Sequence, residues 1–426
     1  MSENLKNYKK NLTNVLFEQL VRLILSFLYT IALTKQIGLE NYGQLSLVLS
    51  VTVLFSVLIH QGMEMVCIKK LVEQQEDADL ILSTAVVMQL IGALLSIVVI
   101  QLFVHFMSYD NSYLYLISSS TALIGAATCI KYEYHAKVQG YVISRINTIN
   151  YIIFLFVKLV VIQYSSNIGY LLVVDFIAMT FLVFMYIRKS KFKIFQVLKK
   201  ANYNIAITIT KSSRYVAYSS VALLVFTKVD QLIISKYLGL TENGLYAFTA
   251  SIVAASYFIP TVVSTTFYPR LINASKNNEL LNSEMQKQLS FISLMSIFIV
   301  SISIGGYPFF IDIVMGVEYE GTKVLFSIMM LAFIPISLGV VSNKWYFVKK
   351  MEKLLLRRTI GGAVIAVTFS LLTVEEYGVN GVAFAFLVSH LYSGVLANLF
   401  SKGTRQIFLM QIKSLYFSGI FSVKRV

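Results

Sequence analysis

The chain has 426 residues, 57% of them hydrophobic and only 13% charged, and a mean hydropathy of +0.72. A soluble chain carries about 25% charged residues, so a water-soluble enzyme or binding domain is excluded and the apolar surplus must face lipid. The net charge of +15 would suit nucleic acid, but the basic residues sit where a different use explains them.

Twelve apolar runs follow one another, near 13–37, 43–67, 80–107, 112–131, 146–164 and 167–187, then near 213–237, 244–268, 288–311, 323–348, 359–374 and 380–400. A run of about twenty apolar residues crosses the ~30 Å hydrocarbon core as a helix, which satisfies its own backbone groups. The expected fold is an all-α polytopic membrane protein of about 12 helices. The first run holds Glu18 and Arg22 and no small-residue cleavage site, so it reads as a span and not as a removable signal. Two six-helix halves are expected, at 1–200 and 201–405, followed by a basic tail at 406–426. The hydrophobic part of that tail, Gln406 to Val423, is interrupted by Lys413 and is expected at the interface rather than as a thirteenth span.

Of the 36 Lys and Arg, 29 fall in the tails and the connections on one side, one (Lys323) falls on the other side, and six lie within spans. Basic residues stay on the cytoplasmic side, so both termini are expected inside the cell. The loop between the halves, 188–212, is the longest and most basic of these connections. The positive charge is thus an orientation signal and a contact for anionic headgroups, and no nucleic-acid partner is called for.

One stretch, Lys228 to Ala250, reads KVDQLIISKYLGLTENGLYAFTA, and a weaker copy lies 201 residues earlier at LTKQIGLENYGQLSLVLS, Leu33 to Ser50. Lys35, Gly38, Leu39, Gly43 and Ser50 match Lys236, Gly239, Leu240, Gly244 and Ser251. Both copies join the first helix of a half to the second on the outer side. Six spans separate them, so they run the same way, as in a parallel repeat with the substrate path between the halves.

Charges inside spans cost about 2.5–3.5 kcal/mol each at the centre and are expected to face a bundle interior or a wet cavity. Lys35, Arg214 and Lys236 stand near span ends and can snorkel. Arg22, Lys158, Lys228, Asp175 and Asp230 are deeper. Lys158 and Asp175 differ by only about 3 Å in depth on adjacent spans and can pair. Glu18 and Arg22, four residues apart, can pair along one helix face. Lys228 and Asp230 point about 200° apart, so one faces the lumen and the other a neighbouring helix. Pro260 and Pro335 interrupt spans eight and ten and mark bends.

Other chemistry is missing from the pattern. Cys67 and Cys129 sit in or beside apolar runs, and the four histidines have no partners at metal-ligand spacing, so neither metal nor cofactor is expected. Gly316 to Lys323, GVEYEGTK, ends in Thr-Lys where a phosphate loop needs Lys-Ser/Thr. The outer loops are too short to hold the folded site of a glycan-assembling enzyme.

KVDQLIISKYLGLTENGLYAFTA, with Asp230, Gly239, Gly244, Tyr246 and Ala247, resembles the seventh span and following loop of bacterial polysaccharide flippases. These are the O-antigen and capsule repeat-unit translocases of the multidrug/oligosaccharidyl-lipid/polysaccharide exporter superfamily. EEYGVNGVAFAF, with Gly378, Gly381 and Ala383, and NKWYFVKKMEK, Asn343 to Lys353, are similar to further parts of that pattern. The resemblance implies a multi-pass protein of the bacterial inner membrane. It would move undecaprenyl-diphosphate-linked oligosaccharide outward through a lumen lined by cations, in a pathway with polymerase and chain-length proteins. By position the substrate-binding cations are then Arg22, Lys158, Arg214 and Lys228, and Glu18, Asp175 and Asp230 serve as charge partners or in ion coupling. The alternative is a drug or metabolite cation antiporter of the same superfamily, for which an acidic cluster without surplus lumen cations is expected.

Overall fold

Long runs of Leu, Ile, Val and Phe with few Gly or Pro leave the backbone one economical choice in lipid, and the chain takes it. The computed structural model describes residues 2–60, 62–73, 78–137, 139–190 and 200–416, with side chains from residue 18 onward, that of Pro269 apart. Parts of the basic loop (191–199) and of the tail (417–426) lie outside the described residues. Among the described residues there are helices and no strands, and ten helices are long and apolar enough to cross a membrane. The protein is an all-helical, multi-pass membrane protein.

Two of the ten are broken at a glycine. Helix Ser2–Phe55 contains Gly38 at φ 79°, ψ 168°. Tyr29, Thr30 and Leu33 on one arm and Tyr42, Leu45, Ser46 and Leu49 on the other line a single cavity. In a straight helix Tyr29 and Leu49 would stand about 30 Å apart, so the arms fold back on each other. Helix Glu352–Gly394 contains Gly378 at φ 57°, ψ −144°. There a Cβ on Gly361 would lie 2.6 Å from the Tyr392 ring, and one on Gly381 would lie 2.6 Å from the Thr373 carbonyl oxygen. These pairs bracket Gly378, which is the apex of a second hairpin. Two arms in each broken helix make the ten helices compatible with twelve spans. The glycines of the two sequence copies also share a backbone shape, since Gly239 has φ 94°, ψ −179°.

Differences from the expected spans have local causes. The helix at Tyr203–Tyr237 begins ten residues before the predicted 213, and that at Asn278–Phe310 ten before 288. The added turns are polar but helix-forming. Asn277 caps the second by accepting from the Glu279 and Leu280 N–H groups at 2.9 and 3.2 Å, as Asn does well at this position. The predicted span at 43–67 is interrupted near Gly62, φ 64°, before the short helix Glu64–Glu73. Helices Leu240–Ala255 and Thr322–Leu331 end just before Phe258–Ala274 and Phe333–Val348 begin. Those breaks fall three to five residues ahead of Pro260 and Pro335, where the missing proline N–H leaves a carbonyl unbonded.

The chain divides into two compact units, Met1–Leu224 and Val225–Val426. The division falls inside helix Tyr203–Tyr237 rather than in the basic loop. Residues 200–217 pack with the N-terminal unit: Lys200 pairs with Asp79 at 2.7 Å, the Asn202 N–H donates to Thr84 Oγ1 at 3.0 Å, and Gly62 abuts Val216 and Ala217. The N-terminal unit has a core around Met63, Cys67, Ile81, Cys129 and Tyr186. In the C-terminal unit Leu281, Leu289, Leu338, Trp345 and Ile407 form a comparable cluster. Ile407 belongs to helix Arg405–Leu415, so the start of the tail is docked onto this unit with Ile407, Gln411 and Ser414 fully buried.

Candidate functional site

Helices Gly140–Tyr164 and Ile168–Lys189 are joined by three residues. Asn167 ends that turn as an N-cap, accepting from the Gly169 N–H at 2.8 Å, and so fixes where the second helix starts. The register places Lys158 Nζ 2.6 Å from Asp175 Oδ1. Tyr29, from the arm before Gly38, lies under the ammonium with its ring centre 5.7 Å away.

These three side chains stand between two cavities. One, of about 190 Å³, is walled by both arms of the Gly38 hairpin, with Tyr42, Ser46 and Leu171. The other, of about 150 Å³, is walled by Asn150, Tyr151, Phe154 and Ala178. Tyr29, Lys158 and Asp175 line both. The Lys158 and Asp175 side chains are 20% and 38% exposed, so the pair is reachable. Among the described residues the Oδ1 of Asn150 is buried without a hydrogen-bond partner, which leaves an acceptor on the wall of the second cavity. Tyr151 carries Arg22 on its ring at 5.3 Å, and Arg22 pairs with Glu18 at 3.7 Å. The N-terminal unit thus gathers Glu18, Arg22, Lys158 and Asp175 along a tyrosine-rich cleft. An ammonium donor, a carboxylate acceptor, an amide oxygen and aromatic faces are groups that bind polar, hydroxyl-rich or anionic ligands.

The other expected residues lie elsewhere. Arg214 is exposed and stacks on its neighbour Tyr215 at 4.9 Å. Asp230 is 3% exposed and accepts from the Tyr246 hydroxyl at 2.7 Å and from Ser370 at 3.5 Å. Its partners are therefore the two neighbouring helices, while Lys228 is half-buried on another face. Asp230 and Tyr246 belong to the same sequence stretch, which folds on itself around Gly239.

One buried cation escapes the sequence reading. Arg358, counted there among the loop charges 344–358, is 7% exposed inside helix Glu352–Gly394. Arg358, Gly362, Ala366, Ser370 and Val374 are all buried, a row at every fourth position. Extending the small-residue row Gly362, Ala366, Ser370 back one turn reaches Arg358, so the signal was present in the spacing.

A family model described as polysaccharide biosynthesis protein matches residues 8–275. The chain belongs to the polysaccharide biosynthesis protein family. No curated protein matches it. Among solved structures, this family member is similar to the lipid II flippase MurJ in an inward closed conformation, with TM-score 0.69 and 16% identity over 98% of this chain and 93% of that one. It is similar to an inward-facing multidrug resistance MATE family transporter of the MOP superfamily, with TM-score 0.68 and 11% identity over 94% and 99%. The eukaryotic MATE transporter AtDTX14 gives TM-score 0.61 and 13% identity over 96% and 99%. The protein therefore shares its fold with flippases and transporters, and identities this low speak to the fold alone.

Proposed function

We propose that this polysaccharide biosynthesis protein flips undecaprenyl-diphosphate-linked oligosaccharide repeat units from the inner to the outer leaflet of the bacterial cytoplasmic membrane. It does so by alternating access, with the basic side of the chain in the cytoplasm. The observation that carries this reading is the cleft of the N-terminal unit, where Lys158 and Asp175 meet between two tyrosine-walled cavities and Arg22 stands over Tyr151. A diphosphate and its sugars need cations and hydrogen-bonding groups in a low-dielectric path; the cleft offers both, with Glu18 and Asp175 as the carboxylates that Arg22 and Lys158 would exchange for the ligand. Arg214 and Lys228 add cations for the same substrate, and the flipped unit would pass to polymerase and chain-length proteins.

A second reading, a cation antiporter, is favoured by one observation: Asp230 is a deeply buried carboxylate with two neutral partners. The two are separated in sealed right-side-out vesicles from a strain that lacks this gene and any redundant flippase but keeps the sugar-assembly enzymes. A glycan reagent that cannot cross the membrane should label lipid-linked oligosaccharide only when the protein is restored. Equal labelling with and without the protein would sink the flippase and leave the antiporter.

A further inference from the structure

Residues 344–358 carry six of the chain's basic residues, and five of them are ordinary loop or helix-end charges. Arg358 is different. Its Nη2 donates to Asn343 Oδ1 at 2.5 Å, and its guanidinium lies over the Tyr346 ring at 5.2 Å. Its Nη1 is buried with no hydrogen-bond partner among the described residues. Among the described residues no carboxylate lies within 4.0 Å of it. Taking a charge out of water without a counter-charge costs several kcal/mol, and here the partners are neutral: the Asn343 amide and the ring and hydroxyl of Tyr346. Gly339 lies close by, and a Cβ there would be crowded by the Gly394 Cα at 3.1 Å and would touch Nη2 at an ordinary 3.9 Å. Asn343, which holds one prong, is itself only half-buried, so the residue beside the guanidinium is reachable although Nη1 is buried.

The same Tyr346 ties Arg358 to the docked tail helix. Its hydroxyl donates to Asn398 Oδ1, Asn398 Nδ2 donates to Gln411 Oε1 at 2.8 Å, and Gln411 Nε2 donates to Ser342 at 2.8 Å. Tyr346, Asn398 and Gln411 are 1%, 0% and 0% exposed. This chain of bonds sets the ring against which the guanidinium lies.

Resting on the flippase reading, we propose that Arg358 is a binding site for a phosphate-bearing headgroup, and that helix Arg405–Leu415 positions it through Gln411, Asn398 and Tyr346. A guanidinium edge with one unpaired prong takes a phosphate oxygen with the geometry that makes Arg–phosphate pairs strong. The phosphate is either the diphosphate of the lipid carrier or the headgroup of an anionic phospholipid.

Trp345, the only tryptophan, stands edge-on to Tyr346 at 5.9 Å and reports the site directly. The full chain in detergent is titrated with sodium pyrophosphate at constant ionic strength, with chloride as the control, while Trp345 emission is read. In parallel it is placed in nanodiscs of phosphatidylcholine with and without phosphatidylglycerol. A saturable pyrophosphate response that weakens at least tenfold in Arg358→Leu assigns the site to a diphosphate. A response to phosphatidylglycerol alone, lost in the same variant, assigns it to membrane phospholipid. Gln411→Leu should weaken the response several-fold well below its melting temperature, and Asn398→Leu, which breaks the same chain of bonds one link nearer Tyr346, should weaken it likewise. If Arg358→Leu does not fold, Arg358→Lys keeps the charge without the two-pronged edge and should show the same tenfold loss. Unchanged affinity in the folded variant, or no wild-type response to either probe, overturns the proposal. The titration contains no lipid-linked sugar, so it fails or succeeds independently of the vesicle assay.

Discussion

The two compact units treat charge in the membrane in opposite ways. In the N-terminal unit each deep cation has a carboxylate beside it, Arg22 with Glu18 and Lys158 with Asp175, and the pairs remain partly exposed. In the C-terminal unit Asp230 and Arg358 are almost fully buried and are held by neutral groups: a tyrosine and a serine for one, an asparagine and a ring face for the other. A partly exposed pair can exchange its partner for a ligand because both of its charges can still be reached. A buried charge with neutral partners is tied to its surroundings, and removing the partners is expensive. The comparison makes the first unit the place where paired charges stay open to exchange, and the second the place where single buried charges are held by neutral groups.

The largest effect expected from that difference is on transport. Lys158→Ala should cut outer-leaflet labelling at least tenfold at normal protein level, and Asp175→Asn, which still accepts from Lys158, should cut it only a few-fold. Reversing the pair, Lys158→Asp with Asp175→Lys, should restore the level but not the labelling. Restored labelling would mean the pair serves structure alone. In the C-terminal unit the expected effect is on stability. Asp230→Leu strands the buried Tyr246 hydroxyl and should cost about 1–3 kcal/mol. Asp230→Asn keeps an acceptor and should cost less than about 1 kcal/mol by the same scale. Equal melting of the two variants would remove the hydrogen bonds as the cause.

Smaller effects sharpen what the units share. Gly38 and Gly239 both have positive φ and open space around a would-be Cβ, so an alanine at either meets backbone strain and no clash. Each substitution should cost about 1–3 kcal/mol, and the two costs should agree, whereas a large inequality in unfolding measurements would show that the sequence copies are not structural equivalents. The smallest change belongs to Arg22→Gln. Its pair with Glu18 is half-exposed, so unfolding should move by no more than about 0.5 kcal/mol while labelling still falls.

Much of the architecture was legible because lipid leaves few choices. Twelve apolar runs and one-sided Lys and Arg gave the helices, and the 201-residue copy marked two glycines that turn out to share a conformation. Lys158 and Asp175 were readable as a pair because a three-residue turn fixes their depths on adjacent helices. Asp230 and Lys228 were readable as diverging because helical geometry alone separates them. What could not be read was which neighbour each would meet. Tyr246 and Ser370 lie 16 and 140 residues from Asp230, and no local pattern connects them. Arg358 was hidden for a different reason: a charge count treats Arg357 and Arg358 alike, whereas a helix beginning at Glu352 turns one outward and the other into the buried row. The extra polar turns at 203–212 and 278–287 were missed because hydropathy marks where lipid ends and not where a helix does.

The docked helix Arg405–Leu415 also orders events during synthesis. Gln411 fastens Ser342 and Asn398, yet it is translated after both, and domains tend to form N-terminal first as the chain emerges at about 5–20 residues per second. Ser342 and Asn398 are therefore made before the residue that joins them, and the bonds that tie these two helices together close only once helix Arg405–Leu415 has been made.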